Sequence, residues 1–476
     1  MYLALSVYVI STALMLTPAL LAWNAGTFRL LHPAVFFPML LAYQSGVPVL
    51  TYACTGDAML RSSAIYMGDA GYYVYPLLLQ LAACGVYYLG LWVSLGSVVP
   101  TREDREDLLV DMPTLARNSS HVFATGMLVL GLGTVMKLSQ YEIFGGWTEA
   151  KSNPYEFIHA TYGYYWLHVL YTSTFVIPAV MFLCAPLYGL VAFGTATVVA
   201  SWLSVSKAVA LRLVLPLVLF GLPRRLRSWR IMSVALVAGA LLITPLFVAQ
   251  YRGNQSDWFA ENAFGSLAHR EYSFEFFCLV SAADRFDEFP DTEGSYLVSA
   301  MLDLVPRVLW PSKPTSRNLE LGTQWVPADY SHRVFVAPHL FGTLYLDGGP
   351  TGVLAGMGVL GLAFGGWYGS ARRQTRRRQN RFPLILFLCN AVMTKGLVDG
   401  AISNYLMQVV FMTGLVAGWR TLAWSCSFRL PQKRIRPALP KWHARPARWT
   451  AGGSGTGAAH TAATDGRQRS GHPRWN

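Results

Sequence analysis

Long apolar runs alternate with short polar segments along most of this 476-residue chain. A helix needs about 20 consecutive, mostly apolar residues to cross a bilayer, and the runs therefore predict about eleven spanning helices. They lie near residues 2–22, 33–52, 73–96, 121–137, 165–184, 187–205, 208–222, 231–250, 340–368, 382–400 and 403–424. The pattern predicts an all-α polytopic membrane protein with about eleven transmembrane helices and one large external loop.

The same pattern divides the chain into four parts. The predicted loop between residues 251 and 339 is too long to be a simple connector, and loops of that kind are usually functional. The predicted parts are an N-terminal transmembrane bundle (1–250), a large extracytoplasmic loop with an amphipathic helix (251–339), C-terminal transmembrane helices (340–424) and a basic, disordered cytoplasmic tail (425–476).

Composition and charge agree with a membrane protein. Hydrophobic residues make up 53% of the chain and charged residues only 13%, against about 25% charged in soluble proteins. The net charge of +13 comes largely from segments 223–230, 371–381 and the tail, which the positive-inside rule assigns to the cytoplasm. The N-terminus is then external, its first helix is retained as a span, and no nucleic-acid partner is expected.

Motifs of soluble enzymes and of metal sites are missing from the sequence. It contains no GxxxxGK[ST], HExxH or GxSxG pattern, and its six cysteines show no metal-ligand spacing. No cofactor or metal is therefore expected, and any chemistry must come from the external loop and the ends of the spans.

Two basic residues interrupt the apolar runs near the middle of the chain, in "SVSKAVALR". Lys207 and Arg212 either snorkel from an external hairpin turn or face a cavity and bind an anionic substrate. They are five residues apart and point in different directions on one helix. Arg212 is the first candidate of the two for substrate binding.

The predicted amphipathic helix begins beside a charged triplet that contains Arg270 and Glu271. A charged helix start is usually a solvated surface. The loop nevertheless contains several arginines and few lysines, and arginine suits bidentate recognition of phosphate. Arg270 is therefore a candidate ligand for an anionic substrate.

Later in the loop, the run "DLVPRVLWPSKP" (303–314) combines three prolines with basic and aromatic residues. Each proline fixes its own φ and restricts the residue before it, so the backbone is partly arranged before a ligand binds. One interpretation is a loop edge whose Trp310 touches lipid headgroups. The other is a rigid bracket in which Arg307 and Lys313, with Trp310 between them, bind a pyrophosphate.

The loop returns to the membrane through "VAPHLFGTLYLDGGPTGV" (336–353). Within this segment, His339 and Asp347 are the candidates for the general base of a reaction. An aspartate before Gly-Gly-Pro is more often a cap or turn residue, and Gly348, Gly349 and Pro350 predict a break in the helix after Asp347.

The order of these features resembles that of the Wzy-type O-antigen and oligosaccharide repeat-unit polymerases. The matching elements are Arg270 before an amphipathic helix, "GSY" at Gly294–Tyr296, "PRVLWPSKP" at Pro306–Pro314 and "FGTLYLDGG" at Phe341–Gly349. The resemblance covers about a hundred residues, and "PRxLWPxKP" is its most specific part. Thr343 departs from the pattern, because the family often has glutamate there; another residue, Glu271 or Asp347, would have to act as the base.

The resemblance implies a glycosyltransferase in the cytoplasmic (inner) membrane with an outward-facing active site. It implies transfer of a growing glycan from undecaprenyl pyrophosphate to a sugar hydroxyl of the next lipid-linked repeat. Its partners would be undecaprenyl-pyrophosphate-linked oligosaccharides, the lipid bilayer, and flippase and chain-length regulator proteins.

Three alternatives stay open at this point. An O-antigen ligase-type enzyme would use the same donor chemistry with a different acceptor. A glycan or lipid transporter predicts internal repeats and charges spread through many spans, whereas here no repeat is evident and the charges concentrate in one loop. A structural scaffold would have no use for clustered arginines.

Overall fold

A computed structural model describes most of the predicted membrane bundle and short parts of the external loop. The described residues are 2–29, 31–55, 71–101, 119–152, 157, 164–184, 186–203, 295–305, 309–314, 339–378, 382–398 and 402–425. Over these ranges all regular structure is helical, which confirms the all-α class for this part of the chain. The predicted spans at 208–222 and 231–250, the predicted amphipathic helix and the basic tail from residue 426 lie outside the described residues.

The helices follow the apolar runs closely. In chain order they are α1 (Tyr2–Met15), α2 (Thr17–Asn24), α3 (Pro33–Thr55), α4 (Gly71–Leu95), α5 (Ser119–Phe144), α6 (Trp147–Ser152), α7 (Tyr165–Ser173), α8 (Val176–Cys184), α9 (Pro186–Leu203), α10 (Tyr296–Leu302), α11 (Leu340–Arg378), α12 (Phe382–Val398) and α13 (Ile402–Ser425).

Four of the described helices are long and apolar enough to cross a membrane, within α4, α5, α11 and α13. The bent pair α1–α2 makes a fifth if it is one span, with an angle of 53° at its break. Pro18 lies in the first turn of α2, where its missing N–H costs no hydrogen bond, so a new helix begins there. The structure therefore supports a multi-pass membrane protein with four or five clear spans in its described part.

Glycines allow α4 and α11 to pack with their backbones almost in contact. A Cβ on Gly90 would lie 2.6 Å from the carbonyl oxygen of Gly358, and a Cβ on Gly361 would meet the carbonyl oxygen of Tyr87. Small residues at four-residue spacing permit such close approach between membrane helices. Residue numbers increase in the same direction along both helices at this contact, so α4 and α11 run parallel.

Polar contacts between α3 and α4 show that these two helices run antiparallel. Gln80 Nε2 donates to the carbonyl oxygen of Leu41 at 3.1 Å and to Ser45 Oγ at 2.8 Å. Further along α4, the Tyr87 hydroxyl donates to the carbonyl oxygen of Pro33 at 3.0 Å. These bonds satisfy buried polar groups, which cannot form hydrogen bonds with water inside a bilayer.

The bundle has two distinguishable ends. At one end, Trp419 Nε1 of α13 donates to the carbonyl oxygen of Val122 in α5 at 3.4 Å. The Arg420 guanidinium lies 4.4 Å from the ring centroid of Phe382, the first residue of α12. We call this the basic end, because α11 finishes there in its arginine-rich segment. The opposite end, where α5 finishes and α11 begins, is the loop end.

Candidate functional site

Asp347 holds the N-terminus of α10. Its Oδ1 accepts from the backbone N–H of Tyr296 at 2.5 Å, and its Oδ2 accepts from the N–H of Leu297 at 2.8 Å and from Ser295 Oγ at 2.7 Å. Ser295 is the N-cap, and its Oγ also accepts from the N–H of Val298 at 3.2 Å. A carboxylate stabilises a helix N-terminus by its charge and by using N–H groups that lack intrahelical partners. Residues about fifty positions apart are thereby fixed together.

A break in α11 lies directly after Asp347, as its sequence predicts. Gly348 and Gly349 have non-helical backbone angles, and Gly349 has φ of +58°. A left-handed φ favours glycine over residues with a side chain. Beyond the break, Gly352 packs so closely on the Leu344 carbonyl that a Cβ there would collide with it. The first turns of α11 therefore bend away from the rest, and Asp347 stands at the bend.

A buried ion pair lies at the other end of α10. Lys313 Nζ lies 3.2 Å from Asp303 Oδ1, and the two side chains are only 7% and 6% exposed. Asp303 is the C-cap of α10. Lys313 Nζ also donates to the carbonyl oxygen of Val305 at 3.1 Å, and the Lys313 N–H donates to the carbonyl oxygen of Trp310 at 3.1 Å. The run 303–314 is thus a loop closed at its base; we call it the closed loop.

The closed loop exposes apolar residues beside an apolar face of α10. Leu309 is 77% exposed and Trp310 is 36% exposed. Val298 and Met301, three residues apart on α10, are also exposed. Pro306 to Val308 lie outside the described residues, so the geometry defines the base and one side of the loop that carries Arg307.

His339 caps the start of α11. Its side chain is buried, and its Nδ1 accepts from the backbone N–H of Phe341 at 3.3 Å. Its carbonyl oxygen accepts from the N–H of Thr343, which is also buried. A neutral histidine that accepts at Nδ1 carries its proton on Nε2 and donates from there. In this arrangement Nδ1 is occupied as a capping acceptor, and a role as general base at that nitrogen would require the bond to open.

The structure therefore brings together some of the predicted site residues. Trp310 and Lys313 meet in the closed loop, and Asp347 and Lys313 are connected to opposite ends of α10. Lys313 is engaged with Asp303, so its predicted substrate contact would have to coexist with an ion pair. The other predicted residues, Lys207, Arg212, Arg270, Glu271 and Arg307, lie outside the described residues.

Three residues with clear roles were missed by the sequence analysis. Asp303 begins the run "DLVPRVLWPSKP", and an acid and a base at the two ends of a proline-bounded segment were a usable signal. Ser295, directly before an apolar helix, was a usable N-cap signal. Lys137 was taken as the end of a span, whereas α5 continues to Phe144 and Lys137 is buried within it.

No three of the His, Cys, Asp and Glu residues in the described ranges are grouped so as to hold a metal ion. The backbone and side-chain contacts of Asp347, Ser295, Asp303 and Lys313 position the base of the closed loop at the loop end of the bundle. Comparisons of the chain with models of protein families, with curated proteins and with solved structures found no match, so the resemblance to Wzy-type polymerases stays a prediction.

Proposed function

We propose that this protein is a polysaccharide polymerase of the O-antigen type. It would transfer a glycan from undecaprenyl pyrophosphate to a lipid-linked repeat unit on the outer face of the cytoplasmic membrane. The lipid bilayer and the two lipid-linked oligosaccharides would be its essential partners, with a flippase and a chain-length regulator acting beside it.

The observation that supports this proposal is the contact among three motif segments that are far apart in sequence. Ser295 and Tyr296 of "GSY" bind Asp347 of "FGTLYLDGG". Lys313 of "PRVLWPSKP" binds Asp303, at the far end of the helix that Tyr296 begins. The segments that carry the resemblance thus form one connected unit, as motifs of a shared site would.

The chemistry of the closed loop fits a pyrophosphate leaving group. Charge develops on the lipid pyrophosphate as the glycosidic bond breaks, and preorganised donors stabilise such charge most effectively. In the sequence, Arg307 lies between Asp303 and Lys313, whose side chains form an ion pair. A guanidinium suits bidentate contact with phosphate oxygens, and Arg307 is therefore the residue that we propose binds the pyrophosphate.

The acceptor hydroxyl requires a base. Asp347 accepts three hydrogen bonds from α10 and its cap, and His339 accepts one at Nδ1. Both therefore have positioning roles in the structure, and Glu271, Asp347 and His339 are the candidates that we propose for the base. Thr343 has no acidic group to offer.

The test is deletion of the gene followed by complementation, with the envelope glycans separated on a gel. We expect deletion to remove the long ladder and leave single-repeat species on the lipid carrier. Arg307→Ala and Arg270→Ala should reproduce that loss at normal expression, and Arg307→Lys should also fail because lysine lacks the bidentate fork. Arg373→Ala, at an exposed position near the basic end, is the matched control and should restore the ladder.

Other outcomes of the same gel would contradict the proposal. Long polymer that accumulates on the lipid carrier would indicate the ligase alternative. Lipid-linked repeats trapped at the inner face would indicate a transporter. Normal polymer length in both arginine variants would exclude the pyrophosphate bracket.

A further inference from the structure

A second set of buried polar groups lies within α5, away from the closed loop. Lys137 is 2% exposed and lies seven residues before the end of α5, in a segment long and apolar enough to span the membrane. Its ammonium donates to Gln140 Oε1 at 2.8 Å. It also lies 4.6 Å from the ring centroid of Tyr141 and 4.7 Å from that of Phe157.

The charge of Lys137 has no acidic partner in the described part of the chain. The one ion pair recorded there joins Asp303 and Lys313. Glu142 is close in sequence, but it is exposed and lies five positions on, so it does not share the face of Lys137. One amide oxygen and two ring faces compensate only part of the cost of taking an ammonium out of water. Ionisable groups within membrane spans usually mark functional sites.

The hydroxyl of Tyr171 is a second buried polar group that is incompletely satisfied by the described residues. Tyr171 in α7 is 1% exposed, and its hydroxyl has no hydrogen-bond partner among the described residues. Gly133 of α5 packs against Thr174, and Gly126 packs against Ile177, so α5 runs antiparallel to α7 and α8. Tyr171, about one turn before Thr174, therefore lies at the level of Lys137, about one turn after Gly133. The Tyr141 hydroxyl, by contrast, donates to the carbonyl oxygen of Leu203. A buried hydroxyl without a partner is costly, and here it lies at the level of an ammonium that has no counterion among the described residues.

We propose that Lys137 and the Tyr171 hydroxyl bind a phosphate group carried by an amphiphile, at the loop end of the bundle. The pair offers a positive charge and hydrogen-bond donors, which match the acceptor oxygens of phosphate. The rings of Tyr141 and Phe157 lie beside the ammonium and would form the apolar side of this site. Only the choice of a polyprenyl pyrophosphate as the natural ligand rests on the proposed function; phosphate binding does not.

The experiment measures ligand binding and thermal unfolding of the purified full-length protein in detergent. The probes are inorganic phosphate, inorganic pyrophosphate, undecaprenyl phosphate and phosphatidylglycerol. We expect at least one phosphate-bearing probe to raise the unfolding temperature of the wild type. Lys137→Gln and Tyr171→Phe should each weaken that binding by about tenfold or more, since each removes a donor to a charged group. Arg420→Gln, which removes a cation from a ring at the basic end, should leave binding unchanged.

The thermal stability of the Tyr171→Phe variant provides a second test, which needs no ligand. Because the hydroxyl has no partner in the part of the chain that the structure describes, its removal should leave the unfolding temperature unchanged or raise it. Tyr141→Phe loses a bond to Leu203 and should lower it. If Lys137→Gln does not accumulate as folded protein, Tyr171→Phe carries the test alone.

The outcomes separate the sources of the phosphate. Binding of the lipids without binding of free phosphate or pyrophosphate identifies a lipid headgroup site, and binding of both kinds identifies recognition of phosphate itself. An equal response of wild type and Tyr171→Phe to every probe would overturn the proposal, as would a loss of stability in Tyr171→Phe as large as that in Tyr141→Phe. These measurements involve no glycan, so their failure alongside normal dependence of the polymer on Arg307 would leave the proposed function intact.

Discussion

Breaking the Asp303–Lys313 ion pair should open the closed loop. The two side chains are almost fully buried and 3.2 Å apart, so Lys313→Ala leaves a carboxylate in a poorly hydrated site and also removes the bond to the Val305 carbonyl. Removal of one partner of a buried ion pair typically costs about 3–5 kcal/mol. This cost exceeds what a short loop is expected to tolerate, so we expect residues 303–305 and 309–314 to lose the conformation that they have in the structure, while the membrane helices stay folded.

A double-mutant cycle separates this ion pair from general damage. The cycle comprises Asp303→Asn, Lys313→Met and the variant that carries both substitutions. The double variant removes both charges and should recover most of the lost stability, because replacing both partners of a buried pair is often nearly neutral. The assay is hydrogen exchange of the 303–314 backbone in detergent, followed by mass spectrometry. Each single variant should accelerate exchange there, and the double variant should restore protection.

Two outcomes of this cycle would contradict the role of the ion pair in closing the loop. If the effects of the two single substitutions simply add, the two groups do not interact and the ion pair contributes nothing to loop closure. If Lys313→Ala leaves exchange in 303–314 unchanged but abolishes polymer formation, Lys313 acts on the substrate and not on the loop. Arg373→Ala, an exposed cation in the same membrane helix as Asp347, controls for loss of charge alone.

Two further substitutions test the contacts that support the site. Asp347→Ala removes the acceptor for two backbone N–H groups of α10; caps of this kind contribute about 0.5–2 kcal/mol, so hydrogen exchange should rise at 296–302, and unchanged protection would contradict the cap. Gly361→Leu places a side chain against the Tyr87 carbonyl and should reduce the yield of folded protein sharply, measured by size-exclusion chromatography. Gly366, where a Cβ would meet nothing within 4 Å, is the matched control, and equal loss in Gly366→Leu would contradict the packing argument.

The features that local sequence determines were predictable. The nine predicted spans that lie wholly or almost wholly within the described residues are helical, although 2–22 and 165–184 are each divided into two helices. A bilayer leaves the backbone few other ways to satisfy its hydrogen bonds. The break after Asp347 was predictable because Gly348, Gly349 and Pro350 are all poor helix residues. These inferences need only a few neighbouring residues, and for that reason a single sequence was sufficient.

The partners of the charged residues were not predictable in the same way. Asp347 was recognised as a base or a cap, but its partners are at Ser295 to Leu297, about fifty residues earlier, and no local pattern specifies that pairing. Lys313 was assigned to the substrate as part of a proline-fixed bracket, and its ion pair with Asp303 became evident only from the fold. Lys137 was placed at the end of the predicted span 121–137, and only the fold shows the amide and the rings that surround it.

Both ends of α10 are held by charged residues, and this has a consequence for the placement of the closed loop. A helix of seven residues is too short to be stable alone. Its N-terminus depends on Asp347, which belongs to a membrane helix, and its C-terminus depends on Lys313 from the loop itself. The position of α10, and of the described residues of the closed loop, therefore follows from the bend in α11 at Gly348 and Gly349. A change in that bend would move α10 and these loop residues together, because Asp347 stands directly before the bend and binds the first turn of α10.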